Sequence, residues 1–199
     1  MTAKQRPARG YARTAILGAT LEIIASDGID AVTHRRVAEQ AGVSPGSTTH
    51  HFSSREDLLR EAFRFYLQMA SRFMSALDEE IQASIPDPLE RVRRFASEII
   101  RREFEHPGEQ SVRAEHEMLL YASTDSQLAS HVRDWDTRWV GHMAGDLEAA
   151  GWARPVETAR TVINLIRGYE LERLLNPQLE VGEFERRLDS FLTRTIRSE

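Results

Sequence analysis

Between His34 and Phe52 the chain reads HRRVAEQAGVSPGSTTHHF, and this stretch limits the possible folds more than any other. A run carrying Val37, Ala38 and Ala41 stops at Gly42 and restarts two residues later at Ser44-Pro45. Glycine allows the left-handed turn that a side chain resists. Serine is a good N-cap, and proline suits the first position of a helix, where its missing N–H would find no partner. The restarted helix then carries almost only polar side chains, Ser47, Thr48, Thr49, His50 and His51, before Phe52. A helix with so little to bury must turn most of its surface to something polar.

The rest of the chain reads as helix. No segment alternates strictly between apolar and polar residues, and no Asn-Gly or Asp-Gly hairpin turn lies between β-rich runs. A first helix over about Tyr11–Asp27 places Ile16, Thr20, Leu21, Ile24 and Ala25 on one face and stops at Gly28. Thr33 caps the second helix, with Val32 and Val37 at the positions of a hydrophobic staple. Ser53 and Glu56 form an S-x-x-E capping box that opens a long fourth helix, striped by Leu59, Ala62, Phe63, Tyr66, Ala70, Phe73, Leu77 and Ile81. Prolines and glycines then mark off five more helices, starting near Leu89, Gln110, Ser126, Pro155 and Glu183. The fold class is all-α, with an expected division into 1–55 (a three-helix head) and 56–199 (a helical body).

Charge divides the same way. Residues 1–55 hold seven Lys and Arg against four Asp and Glu, whereas the remainder holds nineteen against twenty-seven. A basic head on an acidic body suits a head that alone meets a polyanion. There is no cysteine, which excludes disulfides, cysteine zinc sites and thiol catalysis. The cations Lys4, Arg6, Arg9 and Arg13 ahead of AILGATLEIIA imitate a signal peptide, but Glu22 interrupts the apolar run, so a cytoplasmic chain is expected. No run reaches the 18 or so apolar residues of a membrane span.

Two short helices joined by a glycine turn make a helix-turn-helix, whose second helix lies in the DNA major groove. Residues 11–60 also resemble the DNA-binding domain of the TetR (tetracycline-repressor-like) family. The resemblance rests on RTAILGATLEIIASDGIDAVTHRRVAEQAGVS followed by PGSTTHHFSSREDLL. It implies a transcriptional regulator, expected to be a repressor, that binds a double-stranded, imperfectly palindromic operator as a homodimer. Expected DNA contacts are the helix starts at Thr33 and at Ser44, Pro45 and Gly46, the side chains Ser47, Thr48, Thr49, His50 and His51, and the cations Arg35 and Arg36. Arg55 stands where the family has a phosphate-contacting lysine. Lys4, Arg6 and Arg9 could form a minor-groove arm. Many family members carry a large apolar residue and tyrosines where this chain has Thr48, Thr49 and His50.

In the body, Tyr66, Met69, Phe73, Phe95, Ile99, His116, Leu119, Trp135, Trp139 and His142 are the candidate wall for a small, largely apolar effector; a plain core would use the same residues. The eighth helix is apolar around much of its circumference. Together with the ninth, it is expected to form a dimer interface through Val162, Ile166, Tyr169, Leu174, Phe184, Leu188 and Phe191, as the resemblance implies. The Glu-His-Glu run at 115–117 points in different directions on a helix, so no metal site or cofactor is expected. A phosphate loop and HExxH are both missing, which argues against an enzyme. A helical adaptor acting without an effector would explain the acidic body but not the opening stretch.

Overall fold

A computed structural model describes residues 9–105 and 108–196. Among these residues there are nine α-helices: α1 Arg9–Asp27, α2 His34–Gln40, α3 Pro45–His51, α4 Arg55–Ser84, α5 Pro88–Glu105, α6 Gly108–Ala122, α7 Ser126–Ala149, α8 Pro155–Leu175 and α9 Val181–Ile196. A 3-10 turn, Ile29–Ala31, separates α1 from α2. No strand occurs among the described residues, and no described helix is long and apolar enough to cross a membrane.

Local chemistry sets the helix ends. Gly42 takes φ 64° and lets Val43 N–H turn back to the Ala38 carbonyl at 3.0 Å. The Thr33 hydroxyl accepts the Arg36 N–H at 3.2 Å, as an N-cap should. The capping box of α4 is shifted by one residue from its expected place. Ser54 Oγ accepts the Asp57 N–H at 3.1 Å, and the Asp57 carboxylate accepts the Ser53 N–H at 2.8 Å. Aspartate thus replaces the expected Glu56 as the reciprocal partner. Asp125 caps α7 by accepting from Gln127 and Leu128 N–H at 3.0 and 3.2 Å.

The backbone packs as two compact units. The first comprises residues up to Met69 together with Arg113–His131, and the second comprises Ala70–Val112 with the residues from Val132 onward. In the first, Ile16, Ile24, Val37, Phe52, Leu58 and Phe63 are buried, joined by Met118 of α6 and Leu128 of α7. Arg60 donates to Asp125 at 2.6 Å, and the Tyr66 hydroxyl donates to the buried Glu115. The Arg60 hydrogen bond, followed by the Leu128 N–H, holds the Asp125 carboxyl below the usual carboxylate range.

In the second unit, α5 packs against α8 and α9 around Ile100, Leu147, Val162, Phe184, Leu188 and Leu192. Arg91 pairs with Asp146 at 2.7 Å and Arg167 with Asp136 at 2.5 Å, both pairs largely buried. The Tyr169 hydroxyl donates to the Glu180 carbonyl at 2.5 Å, which closes the α8–α9 connection.

Candidate DNA-binding surface

α2 and α3 pack against each other and against α1, forming the helix-turn-helix that the sequence predicts. α3 presents Ser44, Pro45, Gly46, Thr49 and His50 to solvent, with Ser47 and His51 half-buried. Ser44 stands at the N-cap of α3 without a side-chain capping bond, so its hydroxyl remains for other use. From α2 and its cap, Thr33, Arg35 and Arg36 are exposed. Arg36 is tied to Asp27 on α1, whereas Arg35 makes no ion pair with a described residue. Of the proposed basic arm, Lys4 and Arg6 lie outside the described residues, as does the side chain of Arg9.

Two expected contacts take other roles. Thr48, expected to reach a base edge, is fully buried. Its hydroxyl donates to the Pro45 carbonyl at 2.9 Å and lies 3.3 Å from the His34 carbonyl. It therefore fastens α3 to α2 and cannot reach a base edge. Arg55, expected to contact a phosphate, instead grips backbone carbonyls. Its Nε donates to the Val32 carbonyl at 2.9 Å and its Nη2 to the Ile29 carbonyl at 2.7 Å, with Asp30 3.7 Å away. The guanidinium straps the α1–α2 connection to α4. Arg55→Ala should therefore weaken DNA binding on every sequence without changing the slope of log affinity against log salt. Loss of a phosphate contact would lower that slope by about one unit, and titrations at several salt concentrations separate the two.

The expected effector residues are distributed over both units. Tyr66, Met69, His116 and Leu119 belong to the first, and Phe73, Phe95, Ile99, Trp135, Trp139 and His142 to the second. Met69 and Phe73 are exposed, while Phe95, Ile99 and Trp139 are buried in the second unit's core. There the Phe95 and Trp139 rings stack at 5.9 Å, and the His142 ring lies 5.3 Å from Trp139 and 3.7 Å from the Asp78 carboxylate. The indole N–H groups of Trp135 and Trp139, one turn apart on α7, are both buried and find no hydrogen-bond partner among the described residues.

Of the residues expected at a dimer face, Val162, Ile166, Tyr169, Phe184 and Leu188 are covered within one chain. Leu174 and Phe191 are half-buried. α8 instead exposes Thr161, Asn164, Gly168, Leu171 and Leu175 along one stripe, with Leu175 89% accessible. Added at Gly168, a Cβ would meet nothing within 4 Å, so the chain's own packing does not require this mid-helix glycine.

Residues 16–62 match the family of bacterial regulatory proteins, tetR family, and residues 87–198 match the tetracyclin repressor-like C-terminal domain. This chain belongs to the TetR family. Among its relatives is the transcriptional repressor KstR2 of Mycobacterium tuberculosis, 33% identical over 81 residues, which are 41% of this chain and 38% of that protein. The chain thus matches well under half the length of that relative. A transcriptional regulator from a Rhodococcus species has the same fold, with a TM-score of 0.80 at 20% identity over 94% of this chain and 96% of that one. A protein from Saccharomonospora viridis, solved in complex with choline, has a TM-score of 0.73 at 25% identity over 92% of this chain and 96% of that one.

In this TetR-family chain, the adjacent threonines of α3 should behave differently. Thr49 is exposed, with its hydroxyl near the Gly46 carbonyl at 3.2 Å, and Thr49→Ala should alter preference at particular base pairs. Thr48→Val should lower stability by about 1–3 kcal/mol, since it strips a hydroxyl from buried carbonyl partners, and should leave the ranking of operator variants unchanged. Urea melts and affinities on operator point variants check both expectations.

Proposed function

We propose that this regulator binds an imperfectly palindromic operator as a homodimer, acts as a repressor, and releases DNA when a small, largely apolar effector binds. The observation that carries the DNA reading is the composition of α3: its inward side is closed by Thr48, while Thr49, His50 and the helix start at Ser44–Gly46 remain open to a groove. The α8 stripe of Thr161, Asn164, Gly168, Leu171 and Leu175 supports a dimer, because glycine at its centre admits close helix approach and the leucines need cover. Two recognition helices held by such a dimer would engage half-sites one or more DNA turns apart, roughly 34–36 Å per turn.

The unsatisfied indole N–H groups of Trp135 and Trp139 support an effector site in the second unit. Two buried donors without partners call for an acceptor, and the neighbouring Phe95 and Trp139 rings favour an aromatic or apolar body around it. Choline, bound by the Saccharomonospora viridis neighbour, is one compound to include in a screen, since aromatic faces attract methylated cations.

Selection of genomic fragments by the purified protein, followed by footprinting and sedimentation, tests the DNA reading. The expected result is a two-fold-related footprint bound by a dimer; a stable monomer on an asymmetric site would overturn it. The effector reading is tested by a thermal-shift screen and titration of each hit with and without operator. Linkage requires operator to weaken effector binding by the factor with which effector weakens operator binding. Equal effector affinity in both titrations would refute allosteric release.

A further inference from the structure

The connection from α1 to α2 is gripped from two sides. From α4, Arg55 donates to the carbonyls of Ile29 and Val32. From α6, 88 residues away in sequence, the Glu117 carboxylate accepts the Ile29 N–H at 2.8 Å. Both backbone polar groups of Ile29 are thus held by charged side chains from different helices. Such charge-assisted bonds are shorter and stronger than neutral ones, and they fix direction as well as distance. The Glu117 side chain is itself aimed: Arg113, one turn earlier on α6, donates to its Oε1 at 3.1 Å, while Oε2 serves Ile29.

Gly28 makes this contact possible. Its φ of 86° lies in the left-handed region, and a Cβ there would stand 3.2 Å from Glu117 Oε2. The residue is therefore suited to glycine both by conformation and by the carboxylate's approach. Immediately beyond lie the Ile29–Ala31 turn, the cap Thr33 and α2, which contacts α3 more extensively than any other element does. Whatever sets the direction of the Ile29 peptide sets the direction in which the chain enters the DNA-reading pair.

We infer that Glu117 is a positioning residue for operator recognition: α6, through the Glu117–Ile29 bond, holds α2 and α3 in their DNA-reading orientation. The inference rests on the DNA reading above. α6 is one continuous helix whose first residues, Gly108–Val112, belong to the second compact unit and whose remainder belongs to the first. Without the Glu117 carboxylate, Arg55 would be the remaining charged grip on the connection among the described contacts.

Amide hydrogen exchange on the full-length protein tests this without DNA. In Glu117→Ala, the amides of Ile29, Val37 and Ala38 should exchange about tenfold faster, the scale of losing one hydrogen bond to a charged group. Glu117→Gln keeps a side-chain carbonyl able to accept from Ile29 and should stay within about threefold of wild type. On an operator fragment recovered by selection, Glu117→Ala should lose about tenfold in affinity, equally across operator point variants, and Glu117→Gln should lose little.

The inference is overturned if the α2 amides of Glu117→Ala exchange at the wild-type rate. Equal behaviour of the glutamine and alanine variants, or an affinity loss that follows a general fall in melting temperature, would also overturn it. Failure of the wild type to bind any fragment would overturn the DNA reading instead. In that case the exchange rates alone would still decide whether Glu117 holds α2.

Discussion

Phe52→Ala should cost about 3–5 kcal/mol, the range for deleting a buried aromatic ring, and should abolish operator binding with it. Phe52 is 1% exposed and closes α3, its N–H donating to the Thr48 carbonyl at 2.9 Å. The Arg13 guanidinium of α1 lies over its ring, 5.6 Å from the centroid. Removing the ring opens a void under the recognition helix and takes away the face on which Arg13 rests. Because a domain's whole stability is about 5–15 kcal/mol, this loss would remove a large share of it. Urea denaturation followed by circular dichroism, with Phe52→Leu as the milder comparison, gives the number. A Phe52→Ala protein that melted like the wild type would mean that α3 does not depend on this anchor.

Glutamates at Leu171 and Leu175 together should split the proposed dimer and lower operator affinity by about 10²–10⁴, the gain that linking two binding modules normally gives. In a two-fold interface each copy presents the same patch to the other, so charges added on this face appear in duplicate and repel. Both leucines are exposed in the single chain, at 48% and 89%, so the variant should remain folded. Val162→Glu should behave differently: Val162 is fully buried, and an unpaired carboxylate there should unfold the second unit before any question of assembly arises. Sedimentation separates the outcomes. A Leu171→Glu, Leu175→Glu protein that stayed dimeric would place the interface elsewhere.

These contrasts show what the sequence could convey. Helix limits were legible because their punctuation is local: Gly28, Gly42 and Gly151 each sit at a stop and each adopt positive φ, at 86°, 64° and 84°. The helix-turn-helix was legible for the same reason. Which side of α3 faces inward was not, since Thr48 and Thr49 are chemically identical neighbours on a helix too short to show a period. The α8 face was hidden by the opposite problem, apolar residues around most of its circumference, and only packing separates Val162 and Ile166 from Leu171 and Leu175. The capping box moved by one residue because Ser53 and Ser54 are both competent caps and Asp57 serves as well as Glu56. The Glu117–Ile29 bond has no local signal at all, because it joins positions 88 residues apart.

The interleaved packing of the first unit has a consequence during synthesis. Residues up to Met69 include all of α1, α2 and α3, yet the same unit also takes Arg113–His131. On the ribosome, the first segment is made 62 residues before the last part of the second. At about 5–20 residues per second this is a wait of roughly 3–12 s, whereas short helices and loops form in microseconds. During that interval the nascent head has its recognition helix but not Met118, Leu128, Glu117 or Asp125, and apolar side chains such as Phe63 lack part of their cover. A newly made chain therefore completes its first unit only after α6 and the start of α7 have been translated.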